Sequence, residues 1–226
     1  GYEPFISPDL LRIFAVRLAS TYSSQDELKN VTYDDRRNLL LQHLDIVTMM
    51  GGRYILSGME LKHPDLRLLG IPRASSYDTP FYVYENAKAL PRVYLASKVE
   101  TIPHSTVTEL VEAGKKFGTT TYLDGGDCDA ERRSAKSMLE VQKMENGYFE
   151  LAVKSATSQW LIISEQNLPG WKVAIDGIET SFIRANGMYM AVHLPEGEHQ
   201  VVMMYEGILG EAKWLRRLGL FPYTPI

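Results

Sequence analysis

The sequence predicts an α+β protein in two parts. A mixed helical and strand part covers residues 1–130, and an antiparallel β-sandwich of about seven strands covers residues 131–226, closing in a short helical or irregular tail. Three observations predict it. Beyond Leu139 apolar and other residues alternate at period two, the mark of strands with one buried face. Asn-Gly and Asp-Gly pairs, which tolerate the positive φ of tight hairpins, separate those runs. Near the N-terminus the apolar residues recur instead at helical spacing.

Taken in order, Ser7-Pro8-Asp9 opens a helix with a capping hydroxyl, a first-turn proline and a carboxylate at the positive dipole end. Leu10, Leu11, Phe14 and Leu18 follow at its spacing, and Ser23-Ser24-Gln25-Asp26 breaks it. A second helix starts near Asp34-Asp35, runs through Leu39, Leu40, Leu41 and Leu44, and stops at Gly51-Gly52. Arg53–Leu56, Phe81–Tyr84 and Arg92–Leu95 read as strands, with Pro91 marking the last as an edge or a bulge. Ser105 caps a helix over Thr106–Phe117 that Gly118 ends, and Thr119–Leu123 is another strand. The stretch Asp124–Ala135, acidic and then basic, reads as an exposed linker between the two parts. After it, Phe149, Leu151 and Val153 form one alternating set, Trp171, Val173 and Ile175 a second, and Met188, Met190, Val192 and Leu194 a third.

Composition limits the function. With 24 Lys+Arg against 28 Asp+Glu, the net charge of −4 argues against nucleic acid as a partner, which needs a basic face. Cys128 is alone, so an intrachain disulfide and a cysteine zinc site are excluded. No window reaches the ~20 apolar residues that span a bilayer. The start at Gly1, without a Met or a basic n-region, reads as a piece cut from something longer. There is no Gly-x-Ser-x-Gly elbow, Walker loop or Rossmann fingerprint.

The residues able to carry chemistry each have a plainer reading. Glu85-Asn86 with Arg92 suits a phosphate or a sugar hydroxyl, or else forms an ion pair that pins the Pro91 kink. Trp171 offers a stacking face to a sugar ring, or packs with Val173 and Ile175 between the sheets. His199 is a base or a ligand, or a hydrogen-bonded structural histidine, since no partner stands at ligand spacing. Asp176-Gly177 is first of all a hairpin turn. The acidic stretch Asp124–Glu131 departs from EF-hand spacing and reads as solvated linker. Lys213-Trp214-Leu215-Arg216-Arg217 either meets a membrane surface or docks on the body as an amphipathic helix.

Two segments carry a resemblance. One is Tyr84-Glu85-Asn86-Ala87-Lys88-Ala89-Leu90-Pro91-Arg92-Val93-Tyr94-Leu95. The other runs from Pro169-Gly170-Trp171-Lys172 through Asp176-Gly177 and Asn186-Gly187 to Pro195-Glu196-Gly197-Glu198-His199. In this order they resemble the C-terminal region of YfhO-type bacterial membrane proteins, relatives of GT-C glycosyltransferases. The stretch Leu44–Leu56 resembles the family's sequence just upstream, so the likeness spans about Leu39 to Tyr205.

The resemblance implies a domain on the extracytoplasmic face of the bacterial cytoplasmic membrane, beside the membrane-embedded portion of the same chain. Its expected ligand is a glycan or a lipid-linked sugar. The family's catalytic acids lie in a part of the protein that this chain lacks, so no residue here is expected to be catalytic or to bind metal. A divalent cation and a polyprenyl-phosphate donor belong to the parent protein. After Tyr205 the sequence departs from the family, which closes in a transmembrane helix. The alternative is a stand-alone secreted carbohydrate-binding or protein-interaction sandwich. A hydrolase would need two carboxylates facing each other across a cleft.

Overall fold

The computed structural model describes residues 32–72, 81–125 and 137–207. The helix expected over Ser7–Leu18, the break after it, Cys128 with most of the 124–135 linker, and the 213–217 segment lie outside the described residues.

The described chain is mostly β, with three short helices and three sheets. Helix α1 (Tyr33–Gln42) begins one residue before Asp34-Asp35, because Thr32 is its cap. Its hydroxyl accepts from Asp35 N–H at 3.2 Å and its own N–H donates to the Asp35 carboxylate at 2.9 Å, a capping box. The chain kinks at His43 into α2 (Leu44–Met49). Strands β1 (Tyr54–Ser57), β2 (Leu66–Gly70) and β3 (Tyr82–Asn86) form a three-stranded antiparallel sheet ordered β1-β3-β2.

Next come β4 (Val93–Leu95), β5 (Val99–Thr101), α3 (Val107–Glu112) and β6 (Thr121–Leu123). The cap of α3 is Thr106 and not Ser105, because Thr106 and Glu109 close a reciprocal capping box. The helix also stops well before Phe117, at Ala113, with Gly114 taking the left-handed φ of 70° that ends the turn.

Eight strands follow among the described residues: β7 (Met138–Glu145), β8 (Tyr148–Ser155), β9 (Gln159–Ile163), β10 (Trp171–Ile175), β11 (Ile178–Thr180), β12 (Ile183–Ala185), β13 (Tyr189–Leu194) and β14 (Gly197–Tyr205). They divide between a five-stranded sheet, β11-β10-β14-β8-β7, and a six-stranded sheet, β4-β9-β13-β12-β6-β5. Strands from both sides of residue 130 therefore hydrogen-bond in one sheet: β4 pairs with β9 and β6 with β12. All neighbours are antiparallel except β5 and β6. As Pro91 suggested, β4 is an edge.

The two large sheets face each other in a sandwich-like arrangement. Phe149, Leu151, Val153, Val173, Val201 and Met203 of one interleave with Val93, Leu161, Ile163, Met190, Val192 and Leu194 of the other. The reverse face of the six-stranded sheet is also covered. There Tyr122, Ile162, Ala185 and Ala191 pack on Met49, Val107 and Leu110 from the helices. This explains a departure in β13, where Tyr189 and Ala191 are as buried as Met190 and Val192. A strand covered on both faces has no solvent side to keep polar.

Candidate functional site

Where the small sheet meets the edge of the six-stranded sheet, a cleft of about 500 Å³ opens. Gly51, Arg53, Glu85, Asn86, Arg92 and Ser164 are among its lining residues. Each is placed by backbone pairing. Arg53 leads into β1, and its carbonyl accepts the Asn86 N–H at 2.7 Å. Glu85 and Asn86 end β3. Arg92 leads into β4, and its carbonyl accepts from Ser164 N–H at 2.8 Å, continuing the β4–β9 ladder.

The structure thus gathers Glu85, Asn86 and Arg92 in one cleft, but they do not bond to one another. Asn86 is 1% exposed, and its amide is spent on the scaffold. The Nδ2 group donates to Thr48 Oγ1 at 2.9 Å and to the Gly52 carbonyl at 3.1 Å, while Oδ1 accepts from Lys88 N–H at 3.2 Å. Glu85 takes Arg53 on Oε1, at 3.1 Å from Nη2, and Arg67 on Oε2. Arg67 and then Arg53 hold its carboxyl below the ordinary carboxylate range. The partner of Arg92 is Glu165, and the guanidinium also lies over the Phe149 ring, 5.3 Å from its centre.

Sequence reasoning did not single out Arg53 and Ser164, which line this candidate cleft, or Arg67 and Glu165, which pair with lining residues. The Ser164 hydroxyl oxygen is buried and has no hydrogen-bond partner, although it stands at the cleft. Such a group is costly unless something satisfies it. The cleft is lined by the carboxylate-paired guanidinium groups of Arg53 and Arg92, with the paired Arg67 beside them and the buried Ser164 hydroxyl behind, so donors and acceptors stand side by side. That suits a ligand rich in hydroxyl groups, each of which can accept from a guanidinium and donate to a carboxylate.

The other two candidates lie elsewhere. Trp171 is 9% exposed, with ring centres of Phe149 and Tyr205 at 6.0 and 5.2 Å, so its surroundings are those of a core residue and leave no face for a sugar. His199 does have a carboxylate partner, which the sequence spacing hid: Nδ1 lies 2.7 Å from Asp176 Oδ2. Asp176 Oδ1 accepts from Gln200 N–H at 2.8 Å, and these two bonds hold the Asp176 carboxyl below its usual range, His199 contributing more. Asp176 and Gly177, with φ of 51° and 79°, make the β10–β11 hairpin turn as expected. The bond to His199 ties that turn to β14. Among the described residues no group of three or more His, Cys, Asp or Glu is disposed to hold a metal ion.

The described residues build a sandwich-like body with a polar cleft at its edge, and among them no helix is long and apolar enough to cross a membrane. Residues 128–207 match the family model of the bacterial membrane protein YfhO, so this stretch is a YfhO-type region. The match takes in β7–β14 together with Ser164 and Glu165. No curated protein and no solved structure matches the chain.

Proposed function

We propose that the chain is the extracytoplasmic domain of a YfhO-type membrane protein, and that it serves cell-surface glycan or glycolipid assembly by holding a sugar-bearing ligand. Its partner is the membrane-embedded portion of the same protein, where a polyprenyl-phosphate sugar donor is used. The domain contributes contacts remote from the reacting bonds, and those contacts orient the ligand rather than break it. One observation carries this reading. The cleft is built jointly by the YfhO-type stretch, through Ser164 and through Glu165 paired to the lining Arg92, and by the preceding segment, through Arg53, Glu85 and Arg92. Its volume falls in the range of small-ligand sites, roughly 300–1,000 Å³.

The test uses the full-length protein in its own membrane. Ser164→Ala removes a buried hydroxyl that the protein itself leaves unbonded, so the variant should fold at least as well as the wild type. Loss of surface glycan in Ser164→Ala and in Arg92→Ala, with normal protein levels, is the expected result. An unchanged glycan profile in both variants overturns the cleft's role. The face is read separately, by labelling Glu140→Cys on a Cys128→Ser background with a membrane-impermeant maleimide. Labelling in intact cells places the domain outside, and protection places it inside.

A further inference from the structure

The three-stranded sheet turns one face partly to the body, burying Tyr84 but leaving Leu68 46% exposed, and turns the other outward. Ile55, Tyr84 and Leu68 share a row across β1, β3 and β2. Tyr84 is buried there, and its hydroxyl accepts from Leu61 N–H at 2.7 Å. The outward face carries two rows. Near the cleft lies Tyr54–Glu85–Arg67, and two residues further along lies Leu56–Val83–Gly70. Leu69 at the β2 bulge, and Ile71 and Phe81 just past the second row, are exposed.

Side chains so placed are unusual for a solvated surface. Leu56 is 71% and Tyr54 56% exposed on β1, and Ile71, just past the end of β2, is 49% exposed. Single exposed leucines need no explanation, but several exposed apolar side chains around one small sheet do. The order along the strand is also particular. Charge comes first, with Arg53 and Arg67 sharing Glu85 and leaving a local excess of one positive charge. Leucine, isoleucine and phenylalanine follow, about 7 Å further out for each two residues.

We propose that this tip docks on an anionic lipid bilayer surface. Leu56, Leu69, Ile71 and Phe81 enter the boundary of the acyl region, Tyr54 lies at the headgroup level, and Arg53 and Arg67 meet lipid phosphates. Aromatic residues at that level and guanidinium groups above an apolar wedge are what the interface stabilises. Charge complementarity selects this occupant. A chain with a net charge of −4 can approach an anionic surface only by a locally positive face, and this face is one. A second copy is the poorer fit, because a two-fold contact would set the arginine collar of one copy against that of the other. The YfhO-type stretch, matched to a membrane protein, makes a bilayer the neighbouring surface. Docking by this tip would bring the Arg53 side of the cleft down to the headgroups.

The test is sedimentation of the 226-residue chain with vesicles, either of phosphatidylcholine alone or of equal parts phosphatidylcholine and phosphatidylglycerol. The chain should partition to the mixed vesicles and less to the neutral ones. Leu56→Glu and Ile71→Glu should each lower that partition at least about ten-fold. Arg67→Ala should lower it about five-fold on the mixed vesicles alone. Circular dichroism and thermal melting check that the variants, all at exposed positions, fold as the wild type does. Ser164→Ala should leave partition unchanged, so failure here and failure of the cleft's role are told apart. No partition by the folded chain, or partition indifferent to both glutamates, overturns the proposal. Lipid-free dimerisation that Leu56→Glu abolishes assigns the tip to a second copy and overturns it equally.

Discussion

The sandwich and the three-stranded sheet spend their distinctive residues differently. In the sandwich, the side chains that stand out in the sequence are consumed by architecture. Trp171 is packed between Phe149 and Tyr205, and His199 is tied to the Asp176 turn. Asn186 completes the six-stranded sheet by exchanging bonds with Tyr122, its Oδ1 accepting from Tyr122 N–H at 2.9 Å and its N–H donating to Tyr122 O at 2.6 Å. Gly170 and Gly187 are glycine because the backbone of another segment lies where a Cβ would go. In the small sheet the standout residues, Arg53, Arg67 and Glu85, are charged and reach the cleft or solvent. The standout residues of the YfhO-type stretch are therefore chiefly residues of its fold, and the charged groups gather at the seam beside it.

That division is broken most directly in the core. Phe149→Ala should cost about 3–5 kcal/mol, because the ring is fully buried and its cavity is walled by both sheets. Urea denaturation reads the loss, and a cost under about 1 kcal/mol would mean that the sheets are not held by this layer. Gly187→Ala comes next. A Cβ there would stand 2.3 Å from Val107 N at a φ of 74°, so both the conformation and the contact with the start of α3 resist it. About 2–3 kcal/mol is expected by the same measurement. A neutral result would show that α3 rides loosely on the β12–β13 turn.

The same contrast explains what could be read in advance. Strands β8, β10 and β14 have one buried face, so Phe149-Leu151-Val153 and Trp171-Val173-Ile175 advertise them by alternation. Strand β2, Leu66–Gly70, is short, largely exposed and bulged between Leu68 and Gly70, and no such periodicity marks it. The layering was hidden for another reason. An apolar run such as Leu161-Ile162-Ile163 reveals burial on both faces but not which elements cover them, and here the cover comes from helices more than 40 residues away in sequence. At the site, Glu85, Asn86 and Arg92 were legible as a set because they share one short segment. Their partners were not. The Arg67–Glu85 pair depends on the register of β2 against β3, and Glu165 reaches Arg92 across 73 residues. Proximity of that kind is set by topology, which residue spacing does not encode.

Asn86 sharpens the comparison, because it lines the cleft yet is engaged as a core residue would be. Asn86→Ala strands the Gly52 carbonyl, the Thr48 hydroxyl and the Lys88 N–H together. We expect a loss of about 2 kcal/mol in chemical denaturation. Wild-type stability in this variant would instead free the amide for a ligand role.

The smallest effect tests the turn that joins β10 to β14. Asp176→Asn preserves shape and tolerates the left-handed φ of 51°, but removes the charge that His199 and Gln200 satisfy. The folded protein holds this carboxyl below its ordinary value, so the unfolded chain takes up its proton first as the pH falls. The stabilisation is thus complete above the ordinary carboxylate range and drains away as the pH drops through the folded value. Asp35, Glu85, Glu109 and Glu198 are depressed in the same direction, but they are common to both proteins and cancel in the difference. Melting curves of the two proteins from about pH 7 to about pH 2 should therefore converge on the acid side, with wild type the more stable at neutrality. A gap that stays constant across that range would mean the turn is worth its geometry alone, and that the bond from Asp176 to His199 adds nothing to the joint between the two strands.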